Sequence, residues 1–180
     1  MKPYCLTATL ALLLVITATN AQELPPGVMP VNAMPAPALQ LNNFDGKPYD
    51  LARTGGHWRF VHFWASWCGP CRREMPSIQK MIPLMKDSAI EFVLVNTAES
   101  EDEVFTFLAI VAPDLVPLMD TDGLVTEVWQ PRGLPASFLV DPQGRIQYQA
   151  LGGREWEQPP YLEFLRGLPQ ITATSPADSK

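Results

Sequence analysis

The sequence has few of the residues on which many functional sites depend. Its 180 residues include three cysteines and two histidines, and its 13 lysines and arginines are outnumbered by 19 aspartates and glutamates. Nucleic-acid binding requires clustered basic side chains, so this charge balance argues against a nucleic-acid partner. A structural zinc site needs four ligands, and His57 and His62 are the only histidines that could join the cysteines. We expect neither a metal site nor a cofactor.

The start of the sequence lacks an apolar run long enough to span a membrane. The largely apolar residues 6–18 fall short of the roughly 20 residues that a spanning helix needs. Lys2 precedes this run and Thr19-Asn20-Ala21 follows it, a pattern typical of a secretory signal peptide. We expect a cleaved signal peptide over residues 1–21 and a periplasmic or other extracytoplasmic location. An uncleaved N-terminal membrane anchor is the alternative.

A pair of cysteines follows a predicted strand. Residues 59–64 are rich in β-branched and aromatic side chains, which favours a buried strand. Gly69-Pro70, between Cys68 and Cys71, ends this strand, and proline is tolerated in the first turn of a helix. Unpaired N–H groups at a helix start, together with the helix dipole, stabilise a thiolate, which is the nucleophile of thiol–disulfide exchange. The two cysteines can close a small redox disulfide; a structural disulfide or half a zinc site is the alternative.

The residues around this pair resemble a known family. Trp67-Cys68-Gly69-Pro70-Cys71 after Phe63-Trp64-Ala65 resembles thioredoxin, and the flanking residues narrow the resemblance to extracytoplasmic thioredoxin-like proteins of the TlpA/ResA type. Three further stretches, at residues 95–100, 120–123 and 133–144, resemble other motifs of this family and follow in the same order along the chain. The resemblance implies a thioredoxin-like α/β fold, in which a mixed β-sheet is flanked by helices.

The domain organisation follows from composition and periodicity. Residues 22–38 contain five prolines among small residues, which predicts a linker without regular structure. Asp45-Gly46 predicts a small N-terminal β-hairpin at the start of a single domain over residues 39–168. Residues 169–180 are small and polar and predict a disordered tail. Within the domain we expect strands at 59–64, 90–96, 136–140 and 145–151 and an extended piece at 115–119. We also expect helices at 71–86 and 159–168, a helix that begins at residue 101, and a short helix that ends at residue 129.

The resemblance assigns roles to the cysteines and to an acid beside them. Cys68 is the expected nucleophile and Cys71 the cysteine that resolves the mixed disulfide. Glu74 lies one helical turn after Cys71, where the ResA-like pattern has a functional acid. Two interpretations stay open for Glu74. It is either an exposed first-turn acid that interacts with the helix dipole, or a partly buried carboxylate with a raised pKa that exchanges a proton with a cysteine.

Other predicted site residues come from the strands on either side. Thioredoxin has a buried aspartate six residues before its first cysteine; His62 stands there in this sequence, either as a satisfied core histidine or as an alternative proton shuttle. The resemblance implies that Pro135 is a cis-proline facing the cysteines. It also implies that the backbone of Leu134, where the family commonly has threonine, pairs with an extended substrate. Trp67 is expected to border the site and offer apolar contact to a partner protein.

These features predict an exported, monomeric thiol–disulfide oxidoreductase that reduces protein disulfides. The resemblance suggests apocytochrome c or copper-site cysteines as substrates and a membrane thiol-reducing transporter as the electron donor. Gly-Pro between the cysteines resembles the reducing thioredoxins. Three alternatives remain: a disulfide oxidant or isomerase, a copper-binding module that uses the cysteine pair and a histidine, and a purely structural interaction domain.

Overall fold

A computed structural model describes residues 23–53 and 56–168 of the chain. The predicted signal peptide at 1–21 and the predicted tail at 169–180 lie outside the described residues. The strands are β1 (Val28–Pro35), β2 (Gln40–Asn43), β3 (Pro48–Asp50), β4 (Trp58–Trp64), β5 (Ile90–Thr97), β6 (Leu118–Asp120), β7 (Ala136–Val140) and β8 (Arg145–Leu151). The helices are a 3₁₀ turn (Leu51–Arg53), α1 (Gly69–Leu84), α2 (Glu101–Val111), α3 (Leu124–Trp129) and α4 (Pro159–Arg166).

The strands of the described residues form one mixed sheet in the order β1-β8-β7-β4-β5-β6-β2-β3. β4 and β5 run parallel, as do β5 and β6, whereas the other neighbours are antiparallel. Helices α1, α2 and α4 pack on one face of this sheet, and α3 packs on the other. The predicted thioredoxin-like fold is confirmed, as is the hairpin, which β2 and β3 form.

β4 lies in the middle of the sheet and leads directly into the cysteine pair. All of its residues are buried, as expected for a strand covered on both faces. Phe60 and Trp64 face the cluster that includes α1, while Val61 and Phe63 face the opposite cluster. The alternation follows from the two-residue period of a strand. The cysteine turn is therefore anchored to the most deeply buried strand of the sheet.

One sequence prediction is wrong at the start of the domain. Residues 22–38 were expected to form a linker, but Val28–Pro35 forms β1 and pairs antiparallel with β8, with a register shift between Pro30 and Met34. β1 is an edge strand, where proline is tolerated because one side of the strand needs no N–H donor. Proline content alone therefore does not exclude a strand at the edge of a sheet.

Helix α1 begins two residues earlier than predicted, at Gly69, and Cys68 is its N-cap. Pro70 lies in the first turn, whereas Pro76 and Pro83 lie inside the helix. Met85 caps the helix end, and its N–H donates to the carbonyl oxygens of Met81 and Ile82. Within the described residues, no helix combines the length and the apolar character needed to cross a membrane.

Candidate active site

The two cysteines of the turn are joined by a disulfide but differ in exposure. Cys68 is 7% exposed, whereas Cys71 is completely buried. The backbone N–H of Cys71 donates to Cys68 Sγ at 3.3 Å, and the N–H of Arg72 donates to the Cys68 carbonyl at 3.0 Å. The Cys71 N–H of the first helical turn therefore points at the Cys68 sulfur, an environment that stabilises a thiolate. An incoming group can reach Cys68 before it reaches Cys71.

A buried acid fixes the segment that leads into Cys68. Glu99 follows β5, and its carboxylate accepts the backbone N–H of Ser66 at 2.7 Å, the Ser66 hydroxyl, and the side-chain N–H of Asn96 at 2.6 Å. Trp67, the next residue, is 64% exposed and so forms an apolar surface beside Cys68. Glu99 lies within the 95–100 motif, but nothing in that motif indicated that it holds Ser66.

The peptide bond between Leu134 and Pro135 is cis, as predicted. Because Ala136 lies opposite Phe63 in the β4–β7 register, Pro135 lies at the end of β4 that leads into Cys68. Leu134 is half-buried and packs against both core clusters. The pairing of its backbone with a substrate stays a prediction.

Glu74 is a buried acid, so its interpretation as an exposed first-turn residue is wrong. The residue is only 2% exposed, and Oε1 accepts the indole N–H of Trp156 at 2.5 Å and the backbone N–H of Arg154 at 3.2 Å. Burial raises the pKa of Glu74 to about 7, although the two hydrogen bonds and the charge of Arg154 act in the opposite direction. A carboxyl with this pKa can gain and lose a proton near neutral pH.

The two donors to Glu74 come from the loop after β8, which touches the cysteine turn. A Cβ atom on Gly153 would lie 3.0 Å from the carbonyl oxygen of Pro70, so the two backbones are close to contact. Trp156 is 1% exposed and packs edge-on against Phe60, with ring centroids 4.7 Å apart. The sequence showed only a loop here, since the partners of Glu74 lie about 80 residues away from it.

His62 is a core histidine that faces Glu74. It is completely buried, its Nδ1 lies 2.9 Å from the hydroxyl oxygen of Ser137 on β7, and its Nε2 lies 3.7 Å from Glu74 Oε2. Burial, with a smaller contribution from the nearby charge of Arg154, lowers the pKa of His62 to about 3. The imidazole is therefore neutral at neutral pH. The expectation of a satisfied core histidine holds for Nδ1 but not for Nε2, which has no hydrogen-bond partner.

The described residues bring no three histidine, cysteine, aspartate or glutamate side chains together in a group that could hold a metal ion. The chemistry that the site can perform rests on the disulfide and on the buried acid behind it. A thiolate at Cys68 can attack another disulfide, and Glu74 can accept a proton from its surroundings.

Comparison with known proteins links this geometry to a family. Residues 33–149 match the model of the AhpC/TSA family. The chain is 32% identical over 111 residues to the thiol-disulfide oxidoreductase ResA of Bacillus subtilis (strain 168). This alignment covers 62% of the chain and 62% of the relative, so the matched part is less than two thirds of the relative's length.

Solved structures show the same fold. The chain superimposes on a protein of Chlorobium tepidum assigned as thiol:disulfide interchange protein DsbE, with a TM-score of 0.62 and 31% identity over 68% of this chain and 86% of that one. It also superimposes on the thioredoxin domain of a thiol-disulfide oxidoreductase from Bacteroides vulgatus, with a TM-score of 0.61 and 26% identity over 69% of this chain and 91% of that one.

Proposed function

The chain belongs to the AhpC/TSA family, and we propose that it is an extracytoplasmic enzyme that exchanges thiols and disulfides with other proteins. One observation carries this proposal. The Cys68–Cys71 disulfide lies at the start of α1, and a buried carboxyl with a pKa near neutrality lies one turn behind it. A purely structural disulfide needs neither a helix start nor a neighbouring acid. The names of the relatives, thiol-disulfide oxidoreductase and thiol:disulfide interchange protein, agree with this activity.

The proposed reaction reduces a disulfide of a substrate protein. In the reduced enzyme the Cys68 thiolate attacks one sulfur of the substrate disulfide, and the other substrate sulfur leaves as a thiolate. Cys71 then attacks Cys68 Sγ in the mixed disulfide and releases the second substrate thiolate. The enzyme ends with the Cys68–Cys71 disulfide, and the two electrons of its dithiol have passed to the substrate.

Glu74 is the proposed proton acceptor for Cys71. Cys71 is buried, and burial in apolar surroundings raises the pKa of a thiol, so Cys71 needs a base before it can attack. Glu74 lies one turn away on the same helix, is itself buried and has a pKa raised to about 7. Its carboxylate takes the Cys71 proton during the second attack, and the proton later reaches the released substrate thiolate or solvent.

The substrate is proposed to bind across Trp67 and the cis-proline loop. Trp67 supplies exposed apolar surface beside Cys68, and the backbone at Leu134 and Pro135 lies at the same end of β4. An extended substrate segment that pairs with this backbone would present its disulfide to Cys68. The resemblance of the chain to the TlpA/ResA type suggests apocytochrome c or copper-site cysteines as substrates.

The remaining parts of the proposal concern electron flow and location. Gly-Pro between the cysteines favours a reductant, which needs a membrane thiol-reducing transporter to return electrons to it. The proposed enzyme acts as a monomer after export through its N-terminal signal segment. Equilibration with glutathione buffers tests the direction: a reduction potential near about −120 mV, typical of strong oxidants, would contradict the reductant assignment and favour an oxidant or isomerase.

Trapping of the mixed disulfide tests the assignment of the cysteines. A Cys71→Ala variant, which cannot resolve the intermediate, should accumulate as a covalent complex with a disulfide-containing substrate such as insulin. The double variant Cys68→Ala/Cys71→Ala is the matched control and should capture nothing. Capture by the double variant, or failure of the single variant to capture while the unaltered enzyme turns over insulin, would contradict the proposed roles.

A further inference from the structure

The two oxygens of the Glu74 carboxyl have different surroundings. Oε1 accepts the indole N–H of Trp156 and the backbone N–H of Arg154. Both groups can only donate, because neither nitrogen has a lone pair available for hydrogen bonding. Oε2 has no hydrogen-bond partner. A proton bound by Glu74 therefore belongs on Oε2, since on Oε1 it would displace one of these two donors.

The ring of His62 provides the polar atom that faces Oε2. Its Nε2 lies 3.7 Å from Glu74 Oε2 and has no hydrogen-bond partner either. The other ring nitrogen, Nδ1, lies 2.9 Å from the hydroxyl oxygen of Ser137. A neutral imidazole has one N–H and one lone pair. If Nδ1–H donates to Ser137, the lone pair of Nε2 points towards Glu74.

We propose that His62 is a positioning residue, whose Nε2 accepts a hydrogen bond from the protonated Oε2 of Glu74 while its Nδ1–H donates to Ser137. The present separation is about 1 Å longer than an O–H···N bond, so a small side-chain movement closes it. In this arrangement the two partnerless atoms satisfy each other, which removes the cost of leaving both buried and unpaired. The role of this bond in catalysis rests on the proposed function, because it fixes the oxygen on which Glu74 holds the Cys71 proton.

The opposite tautomer makes the opposite prediction. With the proton on Nε2, His62 would donate to the ionised carboxylate and would lower the pKa of Glu74. With the proton on Nδ1, its lone pair stabilises the protonated acid and disfavours the carboxylate, so the pKa rises. The tautomer therefore decides whether His62 favours proton uptake by Glu74.

Other charged and titratable groups around Glu74 act on the same equilibrium. Arg154 and Glu155 approach from the loop after β8, and Arg73 and Cys71 lie on α1 itself. The charge of Arg154 favours the ionised carboxylate. His62 is the group on β4 that acts on Glu74, and its lone pair favours the protonated acid, which is opposite to the effect of Arg154. A variant that isolates the effect of His62 must therefore alter β4 and leave the loop and α1 unchanged.

The first measurement reads the tautomer in the oxidised, unaltered protein. Nitrogen-15 spectra of the imidazole distinguish Nδ1–H from Nε2–H, and a His57→Gln variant assigns the signal of the other histidine, which is exposed. At about pH 5, where the imidazole is neutral because the His62 pKa is about 3 and the acid is protonated because the Glu74 pKa is about 7, we expect the proton on Nδ1. A proton on Nε2 would overturn the proposal, and this result needs no variant of the buried site to fold.

The second measurement titrates the Glu74 carboxyl by its carbon-13 chemical shift. In His62→Phe, which keeps a ring but has no acceptor, the midpoint should fall by about one pH unit. In His62→Gln, whose amide oxygen can accept, it should lie between those of His62→Phe and the unaltered protein. The matched control His57→Phe should leave it unchanged. A midpoint in His62→Phe that stays the same or rises would contradict the proposal.

These readouts separate the inference from the proposed function. Neither the ring spectrum nor the carboxyl titration requires disulfide exchange, whereas insulin reduction requires the cysteines. Expected spectra without insulin reduction would reject the enzyme assignment and keep the hydrogen bond. Insulin reduction with the proton on Nε2 would keep the enzyme assignment and reject the hydrogen bond.

Discussion

The two faces of β4 are equally buried but differ in the groups that they place behind the cysteine turn. On the face towards α3, Phe63 packs against Trp129 with ring centroids 5.3 Å apart, and the indole N–H of Trp129 donates to the Ala38 carbonyl at 3.2 Å. On the face towards α1, Trp64 Nε1 and His62 Nε2 have no hydrogen-bond partner. Each face therefore leaves a buried polar atom without a partner, Arg59 Nε being the one on the side of α3, but the face towards α1 also brings a buried histidine and a buried acid together.

This difference separates stability from chemistry within one sheet. Apolar burial such as that of Phe63 stabilises the fold in proportion to the area removed from water. Buried polar groups without partners reduce stability, and groups with shifted pKa values concentrate at functional sites. The face that contains His62 and Glu74 thus gives up some stability for a titratable environment beside the cysteines. Substitutions on the two faces should affect different measurements.

The largest expected effect belongs to the cysteine at the end of β4. Cys68→Ser should lower insulin-disulfide reduction by at least about 100-fold, because a serine hydroxyl cannot form a disulfide. Its unfolding should be compared with that of the reduced, unaltered protein, since both lack the disulfide. Activity within tenfold of the unaltered protein would show that the proposed chemistry does not depend on Cys68.

On the opposite face, Phe63→Ala should reduce the free energy of unfolding by about 3–5 kcal/mol, because it leaves a cavity in a completely buried cluster. Disulfide reduction per folded molecule should stay within a factor of about two. Denaturant unfolding of the oxidised protein and an insulin assay measure the two quantities. Phe105→Ala is the control: Phe105 is 65% exposed, and its loss should change stability by no more than about 0.5 kcal/mol. Equal losses in both variants would contradict the comparison.

The titratable face should also give stability an unusual dependence on pH. The pKa of Glu74 is raised from 4.5 to about 7, so between these values the folded state holds a proton that the unfolded chain releases, and stability falls as pH rises. The pKa of His62 is lowered from 6.5 to about 3, so its contribution is lost as pH falls through that interval. The two slopes oppose each other between pH 4.5 and 6.5.

A Glu74→Gln variant isolates one of these slopes. Its stability relative to the unaltered protein should increase by about 3 kcal/mol between pH 4.5 and a pH well above 7, because the variant no longer buries an ionising carboxyl. Denaturant unfolding of both oxidised proteins across this range measures the difference. A difference that stays constant with pH would show that Glu74 titrates normally in the folded state.

The smallest expected effect lies on the surface beside the site. Trp67→Ala should lower kcat/KM for a protein disulfide by roughly fivefold, as expected for loss of an exposed aromatic contact. Stability should change by no more than about 0.5 kcal/mol, because Trp67 is 64% exposed. The reduction of a small disulfide should be nearly unaffected. A similar loss with the small disulfide would mean that Trp67 acts on the cysteines and not on a protein substrate.

Local patterns in the sequence were sufficient to predict much of the fold. The aromatic and β-branched run of β4, the Asp45-Gly46 turn and the cysteine motif each carry their own signal, and the structure confirms the elements that they predicted. β1 was missed because its strand character depends on pairing with β8, more than 100 residues away. Prolines in Val28–Pro35 hide the alternation on which a sequence prediction depends.

The candidate site shows the same limit more clearly. Cys68 and Cys71 are three residues apart, so their chemistry could be inferred from spacing. The partners of Glu74 and His62 are Trp156, 82 residues from Glu74, and Ser137, 75 residues from His62. Only the packed sheet and the loop after β8 bring these groups together. Whether Glu74 was exposed or buried could therefore not be decided from the helix that contains it.

The near-contact between Gly153 and Pro70 links the distance between two backbone segments to the proton affinity of Glu74. Any side chain at residue 153 would require the loop and the cysteine turn to separate by a few tenths of an ångström. Arg154, whose N–H donates to Glu74, is the very next residue, so the same separation would lengthen that bond. The absence of a side chain at Gly153 thus helps to set the proton affinity of the Glu74 carboxyl through the position of Arg154.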